Sequence, residues 1–189
     1  MKHIVAILFV TFFGMNMASN GQAMEQQQPK VLVAYFSHTN NTKGMAEELH
    51  SQVGGTLFRI VPQNPYPSVH RDTERVSRNE LDNNLRPKLA ATISPEEMST
   101  YDIIFLGFPN WWTTMPMPLF TFLEQYDLSG KTVIPFCTHG GSGLGSSTRD
   151  LAKLVPNSTI LQGLAIQERS LSNARSEITN WLHSLGLSR

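Results

Sequence analysis

The sequence has a single cysteine, Cys137, among its 189 residues, and no surplus of either charge. One cysteine excludes an intrachain disulfide and any multi-cysteine metal site, so a core has to hold by packing. Fifteen Lys and Arg stand against fifteen Asp and Glu, a formal net charge of zero. With no basic stripe either, the chain is a poor match for nucleic acid or another polyanion. A G-x-S-x-G elbow is missing, since Gly140-Gly-Ser-Gly-Leu144 ends in leucine, and so is a G-x-x-x-x-G-K-[ST] loop. A dinucleotide fingerprint would follow the first strand, where this chain has no glycine before Gly44. Internal repeats and low-complexity segments are also lacking.

What is present, 40% hydrophobic and 16% charged residues, fits one globular domain with a proper core. The first two dozen residues stand apart. Lys2 and His3 precede the apolar run Ile4 to Phe13, and Gly21-Gln22-Ala23 places small residues where a signal peptidase cuts. Asn16, Ser19 and Asn20 break the run before the roughly 20 apolar residues that a membrane span needs. The expectation is a signal peptide over 1–23, a polar flexible leader over 24–29 and a single domain over 30–189. It carries with it export to a bacterial periplasm and no stable membrane insertion after cleavage. The oligomeric state stays open.

Hydrophobic patterning then alternates. Val31 to Phe36 is an unbroken apolar run, as in a parallel strand covered on both faces. Thr42 to Val53 carries Met45, Leu49 and Val53 at helical spacing, and Gly54-Gly55 stops it. Further strands are expected at Thr56 to Val61, Asp102 to Gly107, Thr132 to Cys137 and Ser158 to Ile166. Helices are expected at Pro116 to Tyr126, Ser146 to Leu154 and Leu171 to Leu185. The order is α/β. Pro62 to Thr100 fits less well; a polar helix over Ser68 to Leu85 packing on the sheet rim is the expectation. Pro135 inside the fourth strand predicts a local irregularity, because proline cannot donate to a ladder.

Three loops follow strand ends, where open parallel sheets bind ligands. Ser37-His-Thr-Asn-Asn-Thr-Lys43 is crowded with hydroxyls, amides and one ammonium. It suits a phosphate at a helix start, and equally an ordinary capped helix. Phe108-Pro-Asn-Trp-Trp-Thr-Thr-Met-Pro116 sets two tryptophans side by side. One indole can pack inward while the other offers a stacking face to a planar heterocycle, or both belong to the core. Thr138-His-Gly-Gly-Ser-Gly-Leu-Gly145 has four glycines in eight residues, so main-chain N–H and C=O groups are free to approach a ligand.

Taken together, Tyr35-Phe-Ser37 with Thr39-Asn-Asn-Thr-Lys43, Pro109-Asn-Trp-Trp112, Met115-Pro116 and Phe136-Cys-Thr-His-Gly-Gly-Ser-Gly143 resemble the flavodoxin family, closest to its exported branch. The resemblance implies a flavodoxin-like doubly wound sandwich: a five-stranded parallel sheet in order 2-1-3-4-5, helices on both faces, and non-covalent FMN at the switch point. It implies that Ser37, Thr39, Asn40, Asn41, Thr42 and Lys43 hold the phosphate. Pro109, Asn110 and either Trp111 or Trp112 would cover the isoalloxazine, and Thr138, His139, Gly140, Gly141, Ser142 and Gly143 would bind its edge. Asn40 stands where the family often has glycine, a tolerable departure because asparagine enters the left-handed region. His139 replaces a small residue, and its protonation could couple to reduction.

The expected function is an electron carrier between redox partners, either other redox proteins or membrane quinols. Its rivals are an FMN-dependent reductase of quinones or nitroaromatics, with Pro62 to Thr100 shaping a substrate pocket, and an interaction module without FMN. Neither the tryptophan loop nor Thr138 to Thr148 contains Asp or Glu. Those loops therefore put no carboxylate beside the ring, which predicts a less negative hydroquinone potential than in an acidic relative.

Overall fold

The computed structural model describes residues 28–188, so the expected signal peptide and most of the leader lie outside the described residues. Strand β1 (Val31–Tyr35) is buried at every position. Its side chains alternate between two cores: Leu32 and Ala34 face one, Val31, Val33 and Tyr35 the other. β2 (Thr56–Arg59) and β3 (Ile103–Pro109) flank it in parallel, and β4 (Thr132–His139) pairs with β3. The sheet order is β2-β1-β3-β4-β5, with β5 (Thr159–Ile160) and β6 (Leu164–Gln167) both pairing β4.

Helices cover both faces. α1 (Asn41–Val53) buries Met45, Ala46, Leu49 and Val53 beside Ile178, Trp181 and Leu182 of α6 (Ala174–Ser184). The opposite core receives Leu119, Phe122 and Leu123 of α4 (Met117–Leu123), Leu151 of α5 (Ser147–Leu154) and Met98 of the short α3 (Pro95–Ser99). α2 (His70–Asp82) buries only Thr73 and Ser77. From β1 the chain turns to β2 on one side and later to β3 on the other, so the switch point lies between β1 and β3.

Several boundaries differ from the sequence expectation. β3 and β4 run on to Pro109 and His139, so Pro109, Thr138 and His139 are strand ends rather than loop residues. The last helix starts at Ala174, after a 3-10 turn over Glu168–Asn173. The expected fifth strand, Ser158 to Ile166, is two short strands, and Pro135 explains the break. β4 pairs Val133 with Ile160 and resumes at Phe136 with Leu164. The Val133 carbonyl accepts from Leu161 N–H on that edge, and by strand alternation the Pro135 nitrogen faces the same way, with no hydrogen to give. Gly163 crosses there, where a Cβ would sit 2.7 Å from the Pro135 carbonyl oxygen. The irregularity thus falls on the neighbouring strand, while β4 itself stays continuous.

Among the described residues, no helix is long and apolar enough to cross a membrane. Cys137 is fully buried, and burial pushes its thiol up to about 12, leaving it protonated and inert at ordinary pH.

Candidate functional site

The three loops meet at the carboxyl ends of β1, β3 and β4. In the first, Asn40 takes the left-handed conformation, φ 68°, and makes no side-chain cap. Ser37 Oγ accepts instead from Lys43 N–H at 3.2 Å. Among the described residues no acceptor faces the N–H groups of Asn41 and Thr42, so two donors at the positive end of α1 stay open. Lys43 Nζ lies 3.6 Å from Glu47. A cation that sequence reasoning missed, Arg59 at the end of β2, donates to the Ser37 carbonyl at 3.1 Å.

The third loop is tied to the other two. Thr42 Oγ1 and Thr138 Oγ1 are 2.8 Å apart and buried. Asn110 N–H donates to the Thr138 carbonyl, and its Nδ2 donates to the Gly143 carbonyl at 2.7 Å. That leaves Asn110 Oδ1 buried without a partner, and His139 Nδ1 likewise. Gly140, Gly141 and Ser142 are exposed. A Cβ at Gly140, Gly141 or Gly143 would meet nothing within 4 Å. At Gly140 and Gly141, which have no positive φ, neither packing nor backbone conformation requires glycine, and the exposed main chain is open to a close approach.

The two tryptophans point into different surroundings. Trp111 packs inward, edge-on to Phe36, His38 and Tyr66 at 5.4, 5.9 and 5.1 Å between centroids. Trp112 is 39% exposed. Its Nε1 donates to Ser77 Oγ at 3.0 Å, and the Arg78 guanidinium lies 5.4 Å from its ring centre.

Both indoles, with Thr39, Pro109 and Asn110, line a cleft of about 310 Å³. The remaining expected site residues, including Asn41, Thr42, Lys43 and Thr138 to Gly143, border the same strand ends without lining this cleft. The other wall includes the helix expected over Ser68 to Leu85, which is α2 (His70–Asp82), although the residues that line it were not foreseen. α2 contributes His70, Thr73, Glu74 and Ser77, and Glu168 enters from the turn after β6. Carboxylates are therefore present, from elements other than the two loops counted in the sequence. Burial, and then the neighbouring His70, hold the His38 imidazole below its ordinary value. Among the described residues no group of three or more His, Cys, Asp or Glu is placed to hold a metal.

Behind the cleft, Tyr66 donates a hydrogen bond to Glu80. Burial raises the Glu80 carboxyl, partly offset by that bond; burial and the carboxylate raise the Tyr66 phenol. A carboxyl raised in the folded state binds its proton more tightly there than in the unfolded chain. Its contribution to stability is therefore full below the ordinary carboxylate value and is lost as pH rises through the folded one. Glu80→Gln keeps an acceptor for Tyr66 and removes the charge. We expect unchanged or higher stability at pH 7, and a smaller gain on going to pH 5 than in the parent, measured by urea unfolding at both.

A doubly wound parallel sheet whose strand ends carry an open helix start, an exposed indole and an exposed glycine loop is the architecture of a flavodoxin-like α/β protein, with its candidate site at the switch point. The chain belongs to the flavodoxin family: the family's model matches residues 30–185. A crystal structure of a candidate flavoprotein from Bacteroides eggerthii is 36% identical with a TM-score of 0.68, covering 84% of this chain and 98% of that one. A second candidate flavoprotein, from Bacteroides uniformis, is 32% identical with a TM-score of 0.70, covering 79% and 97%. A flavoprotein from Lactobacillus acidophilus, solved in complex with FMN, shares the fold at 22% identity and a TM-score of 0.62, covering 78% and 99%. No curated protein matches the chain.

Proposed function

We propose that this chain is an FMN-binding electron-transfer protein that takes electrons from one redox partner, a protein or a membrane quinol, and delivers them to another. FMN, when bound, supplies the one- or two-electron chemistry, and the protein supplies binding, orientation and electrostatics. The observation that carries the reading is the glycine backbone at Gly140 and Gly141, exposed and free of any packing reason to be glycine.

Ser37, Thr39 and Thr42 with the open N–H groups of Asn41 and Thr42 bind the phosphate, while Asn40 shapes that turn and Lys43 and Arg59 stand nearby as cations. Asn110 Oδ1 and His139 Nδ1, buried and unpartnered, are hydrogen-bonding groups available to the ring. Pro109, Trp111 and Trp112 bound it, and Thr138 to Gly143 offer main-chain groups to its edge. The fit is to a phosphorylated ring rather than to a bare one, which separates FMN from riboflavin. Export to a periplasm, read from residues 1–23, belongs to the same proposal, since little NAD(P)H would be available there and partner proteins would supply the electrons.

One observation favours a second reading. His70, Thr73, Glu74 and Ser77 of α2 wall the cleft, and a reductase of quinones or nitroaromatics would use such a wall to hold a substrate against the ring. The test is stepwise anaerobic reduction of the FMN-loaded protein, followed by visible absorption. Stoichiometric binding with a stabilised one-electron form is the result expected of the carrier. Binding with direct two-electron reduction moves the assignment to the reductase, and absence of binding leaves an interaction module.

A further inference from the structure

We propose that Asp150, which does not line the cleft, is the positioning residue that holds the tryptophan platform in its binding conformation; the proposal rests on the FMN reading above. Trp112 and Thr113 are consecutive residues in the left-handed region, with φ 54° and 66°. Trp111 and Thr114 exchange backbone hydrogen bonds across them, each 3.0 Å. This is the mirror-image two-residue turn that Asn-Gly or Asp-Gly normally fills. Here the second position holds a β-branched threonine, for which positive φ is unfavourable. Such strain persists only where surrounding structure holds it, and it gathers at ligand clamps.

The surrounding structure is specific. The Thr113 carbonyl accepts from Ser146 N–H at 2.7 Å. Gly145 lies against the same oxygen, so close that a Cβ would collide with it. One oxygen of Asp150 then bridges the turn to the loop after β4, accepting from Thr114 Oγ1 at 2.9 Å and from Ser146 Oγ at 2.6 Å. Asp150 sits in the first turn of α5, next to the fully buried Leu151, so the bridge stands on a rigid element. The turn in turn fixes Trp112, whose indole N–H reaches Ser77 on α2. Asp150 therefore governs both the platform and the helix that leans on it, through the geometry of four residues.

A glycine at position 113 accepts positive φ without strain, which provides the test. Four forms of the full chain are compared: Asp150→Ala, Asp150→Asn, Thr113→Gly, and Asp150→Ala with Thr113→Gly. The readouts are the FMN dissociation constant, and hydrogen exchange of the Trp111 and Thr114 amides without FMN. Asp150→Ala is expected to weaken FMN about tenfold, the size of effect that unholding one strained turn implies, and to speed exchange of both amides. Asp150→Asn keeps an acceptor oxygen and is expected to stay within about threefold of the parent. Adding Thr113→Gly to Asp150→Ala is expected to recover most of the affinity and the slow exchange, a coupling that general destabilisation would not produce.

The proposal is overturned if the double variant binds as weakly as Asp150→Ala, or if Asp150→Ala matches the parent in both readouts. Should Asp150→Ala not fold, Thr114→Val removes one of its two partners and asks the same question, with the same rescue expected. If the parent itself binds no FMN, the FMN reading fails alone, and amide exchange decides the role of Asp150.

Discussion

Riboflavin is expected to bind at least about a hundredfold more weakly than FMN. The difference is the phosphate, and the loop from Ser37 to Lys43 offers it two uncapped N–H groups and three hydroxyls. Hydrogen bonds to a charged group contribute about 1.5–3 kcal/mol each, so losing two of them accounts for that factor. Competitive fluorescence titration of both flavins measures it, and equal affinities would remove the phosphate from this loop. Thr42 sharpens the test because its hydroxyl already has one partner, Thr138 Oγ1 at 2.8 Å in a buried pair. Thr42→Val strands the Thr138 hydroxyl, at a cost of about 1–3 kcal/mol in stability. Thr42→Val with Thr138→Val removes both polar groups and is expected to restore stability to within about 1 kcal/mol of the parent. FMN affinity is not expected to return with it, since one of the hydroxyls proposed for the phosphate is still missing. If affinity does return, Thr42 acts on FMN only by tying two loops together.

The parts of this site that were legible in the sequence are those whose chemistry has a local cause. Asn40 could be read as left-handed because few residues other than glycine tolerate that conformation, and it is so at φ 68°. Two adjacent large rings on a short connection allowed either a split or a shared core, and the structure splits them, Trp111 packed on Phe36 and Tyr66 and Trp112 39% exposed. The helix expected over Ser68 to Leu85 is α2, but the face it turns to the cleft had no such cause. That helix buries only Thr73 and Ser77, four positions apart and both polar, so hydropathy cannot distinguish its inward face from its outward one. Glu168 reaches the cleft because β6 is set beside β4 beyond the break at Pro135, a placement that depends on pairing across the sheet. Arg59 is similar: it meets the Ser37 carbonyl only because β2 lies in register with β1, Tyr35 opposite Arg59. Counting carboxylates in two loops therefore missed Glu74 and Glu168, which come from elements that tertiary structure alone brings to the cleft.

Two glycines near the same strand are expected to answer substitution with opposite signs. Gly55 has φ 84°, and a Cβ there would collide with the Val31 carbonyl oxygen at the start of β1. Left-handed φ costs an alanine about 1–2 kcal/mol, and the collision is with backbone that cannot rotate away, so Gly55→Ala is expected to destabilise by about 3 kcal/mol or more. For a domain of this size that lowers Tm by about 6–12 °C. Gly44 sits on the exposed side of α1 with nothing within 4 Å of its Cβ position, and its φ is not positive. Gly44→Ala adds helix propensity of about 1 kcal/mol and is expected to raise Tm by about 2–4 °C. Gly55 also sets the return from α1 into β2, where Thr56 pairs with Leu32 and Arg59 reaches Ser37. Its substitution should therefore weaken FMN binding as well, with no contact to the flavin involved. Thermal unfolding of the two variants reads the first effect and FMN titration the second. A Gly55→Ala variant as stable as the parent would mean that β1 and the α1 return are not packed as closely as described.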